Sequence, residues 1–381
     1  MKLAIVCDWL ATIGGAEKVL EQMLECFPDA DLFSLVDFLP TKNRGIIKNK
    51  KVTTSYIQKL PFARTKFRNY LLFMPLAIEQ LDFSAYDVVI SSSHAIAKGV
   101  LTGPNQLHIC YCHSPIRYAW DLQNQYLKES KLDKGFRSFI TRYMLHKLRL
   151  WDVASTKRVD YFIANSLFIA KRINKYYRRN VDKIIYPPVL TTDEFDNRRL
   201  DFYVTASRLV PYKKIDLIVE AFAANPQRKL FVVGEGPMLK IIKEKARGHN
   251  NIEVLGYQND QVLHDYLSKA KAFIFAAEED FGILPVEAQS FGCPVIAFAR
   301  GGALETVVGI DQNKDSPTGV FFYEQTAKSI ENAIKLFEDN YALFTAENCH
   351  KNALRFSVDV FCQQFKSFVT DKVSMFNQST V

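Results

Sequence analysis

The 381-residue sequence has no run that approaches the roughly 20 consecutive apolar residues of a membrane-spanning helix. Residues 1–7 are apolar around a single Lys and lead straight to Asp8, which is not the pattern of a signal peptide. There are seven cysteines, an odd number, and no Cys-x-x-Cys; this argues against a disulfide framework and for a reducing, cytoplasmic compartment. Cys110 and Cys112 flank Tyr111 in an apolar stretch and read as packing residues rather than metal ligands. The dinucleotide fingerprint Gly-x-Gly-x-x-Gly is missing, which weighs against a nicotinamide oxidoreductase. No short tandem repeat occurs, and no cluster has convincing metal-ligand spacing. The one Asp-x-Asp, Asp29-Ala30-Asp31, falls between a helical stretch and the run 32–36 and reads as a turn.

What is present is the composition of an ordinary globular chain, too long for one core, so two domains are expected. Charge is unevenly spread. Residues 1–190 hold 28 Lys and Arg against 16 Asp and Glu, whereas residues 191–381 hold 21 against 25. A basic first half calls for an anionic partner: phosphate ligands, acidic lipid or nucleic acid. Its pattern opens with a strand at 2–7, a turn at Gly14-Gly15 and a helix over 16–26. Strands follow at 87–91, 107–112, 161–164 and 183–186, with a long basic helix over 134–158. The second half alternates strands at 202–206, 229–233, 252–255, 272–276 and 294–297 with helices at 214–224, 237–247, 259–270, 285–292 and 303–308, which predicts parallel sheets covered on both faces. Helical stretches 326–338 and 341–371 end the chain with no strand between them. Pro187-Pro188 and the polar stretch 191–200 mark the linker.

The chemistry gathers after the second-half strands. The stretch 273–292 reads as strand, acidic loop and helix, with Gly282 allowing a tight turn and Pro285 suited to a first helical position. Glu279 and Glu287 then bracket the open end of a strand and the positive end of a helix, where α/β sheets bind ligands and phosphate is favoured. Glu287 in a first helical turn would also be ordinary dipole compensation. Arg208 and Lys213 are two bases in one strand-to-helix loop able to face a diphosphate; a solvated basic loop is the plainer alternative. Gly234-Glu235-Gly236, Gly256 and Gly301-Gly302 furnish the neighbouring loops for close approach to a ligand.

Glu279-Asp280-Phe281-Gly282-Ile283-Leu284-Pro285-Val286-Glu287 and Arg208-Leu209-Val210-Pro211-Tyr212-Lys213 resemble the retaining, nucleotide-sugar-dependent glycosyltransferase family 4 of GT-B fold, over nearly the whole chain. Asp8-Trp9-Leu10 with Gly14-Gly15-Ala16-Glu17-Lys18 is similar to that family's first loop. Tyr111-Cys112-His113-Ser114-Pro115 resembles a bacterial branch assigned as surface-polysaccharide (O-antigen or exopolysaccharide) mannosyltransferases. Lys214 departs from the pattern, standing where many members carry Gly. The resemblance implies an α/β fold of two doubly wound Rossmann-like domains facing a central cleft, 1–190 for the acceptor and 191–355 for the nucleotide sugar, with the C-terminal helices of 356–381 packing back across the junction. It implies that Arg208 and Lys213 hold the diphosphate, Glu287 the ribose, and Glu279 with amides near Gly282 the donor sugar. Gly14 and Gly15 would close over the phosphates, and His113 would sit beside the reacting sugar. It implies no metal or other cofactor, GDP-mannose as donor, an oligosaccharide or lipid-linked glycan as acceptor, and no nucleic acid partner.

Other readings stay open at this point. UDP-sugars or other GDP-sugars are alternative donors. Glu279 and Glu287 could serve as the carboxylate pair of a glycosidase, which in the retaining case needs them roughly 5–5.5 Å apart. A non-catalytic sugar- or nucleotide-binding protein is the third. Residues 42–80 mix Lys48, Lys50, Lys51, Lys59, Arg64, Lys66 and Arg68 with Phe, Tyr and Leu, and predict peripheral docking on an anionic membrane at its cytoplasmic face; a solvated helix packed on the core is the alternative.

Overall fold

Short runs with every residue buried, such as Val88–Ser93 and Leu107–Cys112, form the sheet centres. A strand covered on both faces needs no polar alternation, so such runs pair in parallel under helices. The computed structural model describes residues 1–381 except 193, 194, 196, 380 and 381. It divides into two compact units, Met1–Pro188 with Phe361–Val381, and Val189–Val360. Three positions of the expected linker 191–200 lie outside the described residues, and Leu200 already opens a strand.

In the first unit, strands β1 (Leu3–Cys7), β2 (Asp31–Ser34), β3 (Val52–Thr54), β4 (Val88–Ser93), β5 (Leu107–Cys112), β6 (Tyr161–Ala164) and β7 (Lys183–Ile184) build one parallel sheet. Their order is β3-β2-β1-β4-β5-β6-β7. The second unit has β8 (Leu200–Ala206), β9 (Lys229–Val233), β10 (Ile252–Gly256), β11 (Ala270–Phe275), β12 (Val295–Phe298) and β13 (Gly319–Phe322), ordered β10-β9-β8-β11-β12-β13 and all parallel. Both are doubly wound α/β sheets of the same order. Each reverses direction once, between β1 and β4 and between β8 and β11. The carboxyl ends of those strands are where such folds hold ligands.

The sequence pattern misses or misplaces several elements. Asp31 opens β2 rather than lying in a turn, and accepts a hydrogen bond from the Tyr86 hydroxyl at 2.9 Å. β13 is unanticipated: four residues after a polar loop give too short a signal. Its Gly319 lies so close to β12 that a Cβ would meet the Val295 carbonyl at 1.9 Å. The expected helix 341–371 is two helices, Ala346–Leu354 and Val358–Ser379. They are separated where Val189 N–H bonds the Phe356 carbonyl at 2.9 Å. From Phe361 onward the last helix belongs to the first unit, whose core Phe361, Phe365, Phe368 and Val369 enter beside Tyr111 and Leu20. Residues 42–80 hold β3 and short turns of helix, Thr41–Ile47, Tyr56–Lys59, Ala63–Lys66, Phe67–Tyr70 and Met74–Glu79, rather than a single solvated helix. Cys110 and Cys112 are buried packing residues.

Candidate active site

Beyond β8, Ser207 N–H bonds the Val233 carbonyl at 3.1 Å and Leu209 N–H bonds Glu235 at 2.9 Å. These bonds fix the backbone on both sides of Arg208, which is exposed. Gly234 and Gly236 adopt φ of +138° and +153°. A Cβ on either would strike the Ser207 carbonyl at 1.9 Å or the Leu209 carbonyl at 2.5 Å. These glycines therefore serve the loop that carries Arg208, and the close approach they permit is to protein backbone. After the turn Pro211–Lys213, Lys214 takes the left-handed conformation at φ +56° and the helix Ile215–Ala223 begins.

Lys213 Nζ makes an ion pair with Glu279 Oε1, with both side chains largely buried. The same ammonium lies 5.5 Å from the centre of the Tyr212 ring. Glu279 is held from the other side: Gly302 N–H bonds its carbonyl at 2.8 Å. A Cβ on Gly301, at φ +65°, would sit 2.2 Å from that same oxygen, and one on Gly302 would sit 2.3 Å from the Phe281 carbonyl. Gly301-Gly302 thus clamps the acidic loop. Gly282, at φ +90°, caps the helix Ile283–Ser290. The helix starts two residues before the expected position. Pro285 is therefore its third residue, still within the first turn where no N–H is needed. Glu287 falls in the second turn and is buried, so dipole compensation in a first turn does not explain it.

In the first unit, Asp8 at the end of β1 is fully buried. Its carboxylate accepts N–H bonds from His94 (2.6 Å), Ala95 (3.1 Å), Ile96 (2.5 Å) and Ala97 (2.7 Å), and lies 3.0 Å from His94 Nδ1. Burial pushes this carboxyl up, but His94 and the amides outweigh it and hold it well below the usual carboxylate range. His94 is lowered by burial and raised more by Asp8, so it rests above its ordinary value. Its ring meets Trp9 edge-on at 4.6 Å. His113, after β5, is buried. Its Nε2 lies 2.8 Å from Ser92 Oγ, its N–H bonds the Ser93 carbonyl at 2.8 Å, and burial with the nearby His94 pushes it down to about 3. His113 is therefore neutral. Gly14 caps the helix Gly15–Cys26, and its N–H is taken by Glu17 Oε2 at 2.8 Å, so that amide is already occupied within the chain.

The segment after His94 is fastened a second time. Lys98 is buried, donates to the Ala95 carbonyl at 2.9 Å and pairs with Asp152. Asp152 also accepts from Trp120 Nε1 at 2.7 Å and from the Tyr177 hydroxyl at 3.0 Å. Neither His94 nor this network was singled out from sequence, because His94 stands 86 residues from Asp8 and the partners of Asp152 stand 25 to 54 residues from it, without a local motif. The one available signal was the pair of a strand-end Asp8 and a lone His after a serine run. Among the described residues, no three His, Cys, Asp or Glu side chains gather as a metal site would need.

Residues 193–356 match the family model described as glycosyl transferases group 1. That match lies within the second unit. The alpha-1,3/1,6-mannosyltransferase of Saccharomyces cerevisiae is 22% identical over 92% of this chain and 65% of its own. A GDP-mannose-dependent monoacylated phosphatidylinositol monomannoside mannosyltransferase of Corynebacterium glutamicum is 36% identical, over 26% of this chain and 30% of its own. The chain thus spans less than two thirds of the length of either relative. Among solved structures, Anabaena HepE in complex with UDP superposes with a TM-score of 0.68 at 18% identity, covering 97% of this chain and 100% of its own. The chain accordingly has the two-domain GT-B fold.

Proposed function

We propose that the chain is a retaining hexosyltransferase of family 4, transferring mannose from GDP-mannose to a growing, lipid-linked surface polysaccharide without a metal. The observation that carries this reading is the Lys213–Glu279 pair, which joins the loop after β8 that also carries the exposed Arg208 to the loop after β11 that leads into the helix with the buried Glu287. The ammonium and the carboxylate neutralise each other until a donor binds. An arriving diphosphate takes Lys213, and the sugar's hydroxyls take Glu279. Arg208 adds a second cation, and the ribose hydroxyls fall to Glu287. As the bond to the sugar breaks, charge grows on the β-phosphate, where fixed cations and a helix N-terminus stabilise it. The departing phosphate takes the acceptor's proton on the same face, so no carboxylate nucleophile is required. The role proposed for His113 is that of a neutral hydrogen-bonding group, since its depressed pKa keeps it from carrying charge at neutral pH.

Support for mannose comes from the two mannosyltransferase relatives. Support for a UDP-sugar comes from the UDP complex of the Anabaena neighbour. A thermal-shift panel of GDP, GDP-mannose, UDP and UDP-glucose separates them. A specific ligand at a hundred times its Kd stabilises by about 2.7 kcal/mol. GDP-mannose stabilisation with product formation in EDTA is the expected result. Preference for UDP-glucose overturns the donor, loss in EDTA restored by manganese overturns metal independence, and hydrolysis of an aryl glycoside without nucleotide overturns the transferase.

A further inference from the structure

The long helix Gly135–Ser155 of the first unit presents its apolar side to solvent. Phe136 is 77% exposed, Phe139 69%, Ile140 42%, Tyr143 55% and Leu150 55%. At 3.6 residues per turn these five and Lys147 fall within a sector of about 100°, in a stripe about 21 Å long. The opposite side, which faces the core, buries Ser138, Asp152 and Ser155 alongside Leu145 and Leu148. A helix packed on a soluble domain ordinarily has the reverse arrangement.

We propose that this stripe is the surface by which the protein docks on an anionic membrane, with the helix lying in the plane of the interface. Charge selects the occupant. From Lys134 to Trp151 the chain carries five Lys and Arg and no Asp or Glu, and Lys134, Arg137, Arg142 and Lys147 are exposed. Two copies pairing through the stripe would bring like charges together, whereas acidic headgroups meet the bases while the rings and Ile140 enter the acyl boundary. Among the described residues no helix is long and apolar enough to cross a membrane, so this contact is peripheral. The proposal differs from the expected docking through the 42–80 stretch. There Lys48 pairs with Glu25, Lys50 donates to the Pro28 carbonyl at 2.5 Å, and Arg68 lies over the Phe67 ring at 4.9 Å. Its exposed Phe62 and Phe73 sit on separate short turns. The proposal is independent of which donor the second unit binds.

The full chain is sedimented with vesicles of phosphatidylcholine alone and of an equal mixture with phosphatidylglycerol. Binding is expected only to the mixture, and high salt should weaken it at least about tenfold. Phe136→Ser/Phe139→Ser/Tyr143→Ser and Arg137→Gln/Arg142→Gln/Lys147→Gln should each lower partitioning at least about tenfold. Lys48→Gln/Lys50→Gln/Lys51→Gln should not. Because the altered side chains are exposed, melting and nucleotide stabilisation should match the wild type, which separates failure here from failure of the transferase reading. The proposal is overturned if the wild type ignores anionic vesicles or if the aromatic variant binds as well as wild type. It is equally overturned if the 48–51 variant loses as much, or if the stripe variant breaks a dimer that never binds lipid.

Discussion

At the reversal point of the second sheet, Arg208 stands exposed and Lys213 is matched to Glu279 alongside rings and glycine-shaped backbone. At the corresponding point of the first sheet, Asp8 engages four backbone amides and His94, and His113 engages Ser92. The two units share strand order, yet one leaves Arg208 exposed beyond its strand end and the other commits its charge to its own loop. Polar residues at equivalent places in one fold can thus have opposite tasks, and hydrogen-bond partners distinguish them better than residue type does.

The largest effect expected from breaking this contrast is in the glycine clamp. Gly301→Ala combines a left-handed φ with a Cβ 2.2 Å from the Glu279 carbonyl, whereas Gly256→Ala, at φ +74°, meets nothing within 4 Å. Backbone strain plus overpacking should cost Gly301→Ala about 3 kcal/mol or more and abolish nucleotide stabilisation. Gly256→Ala should lose about 1–2 kcal/mol from strain alone. Equal losses in melting of the two variants would mean that Gly301 is not holding the acidic loop.

Asp8→Asn comes next. An amide cannot accept four N–H bonds or balance His94, and breaking a buried pair costs about 3 kcal/mol. Hydrogen exchange at residues 94–97 should rise well above that of β4; unchanged protection there would refute the role. The pH dependence gives a finer test. Asp8, held low, contributes stability that is present above its unfolded value near 4 and is lost as pH falls. His94, held high, contributes stability that is present below about 6.5 and is lost as pH rises through its folded value. His113, pushed down to about 3, does the reverse: its contribution is full above about 6.5 and is lost as pH falls toward 3. The melting difference between wild type and His94→Gln should therefore shrink from pH 6 to 8, and that for His113→Gln should shrink from pH 6.5 to 4. A flat difference in either case removes the corresponding interaction.

In the second unit, Arg208→Ala should leave melting unchanged and weaken diphosphate binding by about 1.5–3 kcal/mol, the worth of a charge-assisted hydrogen bond. Lys213→Ala should weaken binding as much and also destabilise slightly, because Glu279 loses its counter-charge. Titration calorimetry with the nucleoside diphosphate gives both. Wild-type affinity in either variant takes that residue out of the site.

Most of the second sheet could be read from sequence because each of its strands but one ends in a marked loop. β13 could not, being four residues with no motif. Arg208, Lys213, Glu279 and Glu287 stood out by their motifs, and the structure pairs two of them, Lys213 and Glu279. What Gly234, Gly236, Gly301 and Gly302 do was not, since a glycine that admits a ligand and one that admits a carbonyl look identical in a string. In the first unit His94 and the Lys98–Asp152 pair depend on strand order for their meeting, and strand order is not written locally. The exposed stripe of Gly135–Ser155 escaped for a related reason: apolar spacing on a helix does not say which side the core is on.

The smallest expected effect concerns Lys214, which holds a left-handed φ of +56° between the Pro211–Lys213 turn and the helix Ile215–Ala223. A side chain there costs about 1–2 kcal/mol against glycine, while glycine's greater freedom in the unfolded chain returns about 0.4–1 kcal/mol. Lys214→Gly should therefore stabilise the second unit by about 0.5 kcal/mol, a rise of about 1–2 °C in melting temperature. Diphosphate affinity should not change, because Lys213 already supplies the ammonium that meets Glu279. A fall in melting temperature would show that the Lys214 side chain makes contacts that outweigh the strain. A stable variant that binds diphosphate more weakly would show instead that this loop works with three cations, and that the lysine is retained for charge at the expense of the turn.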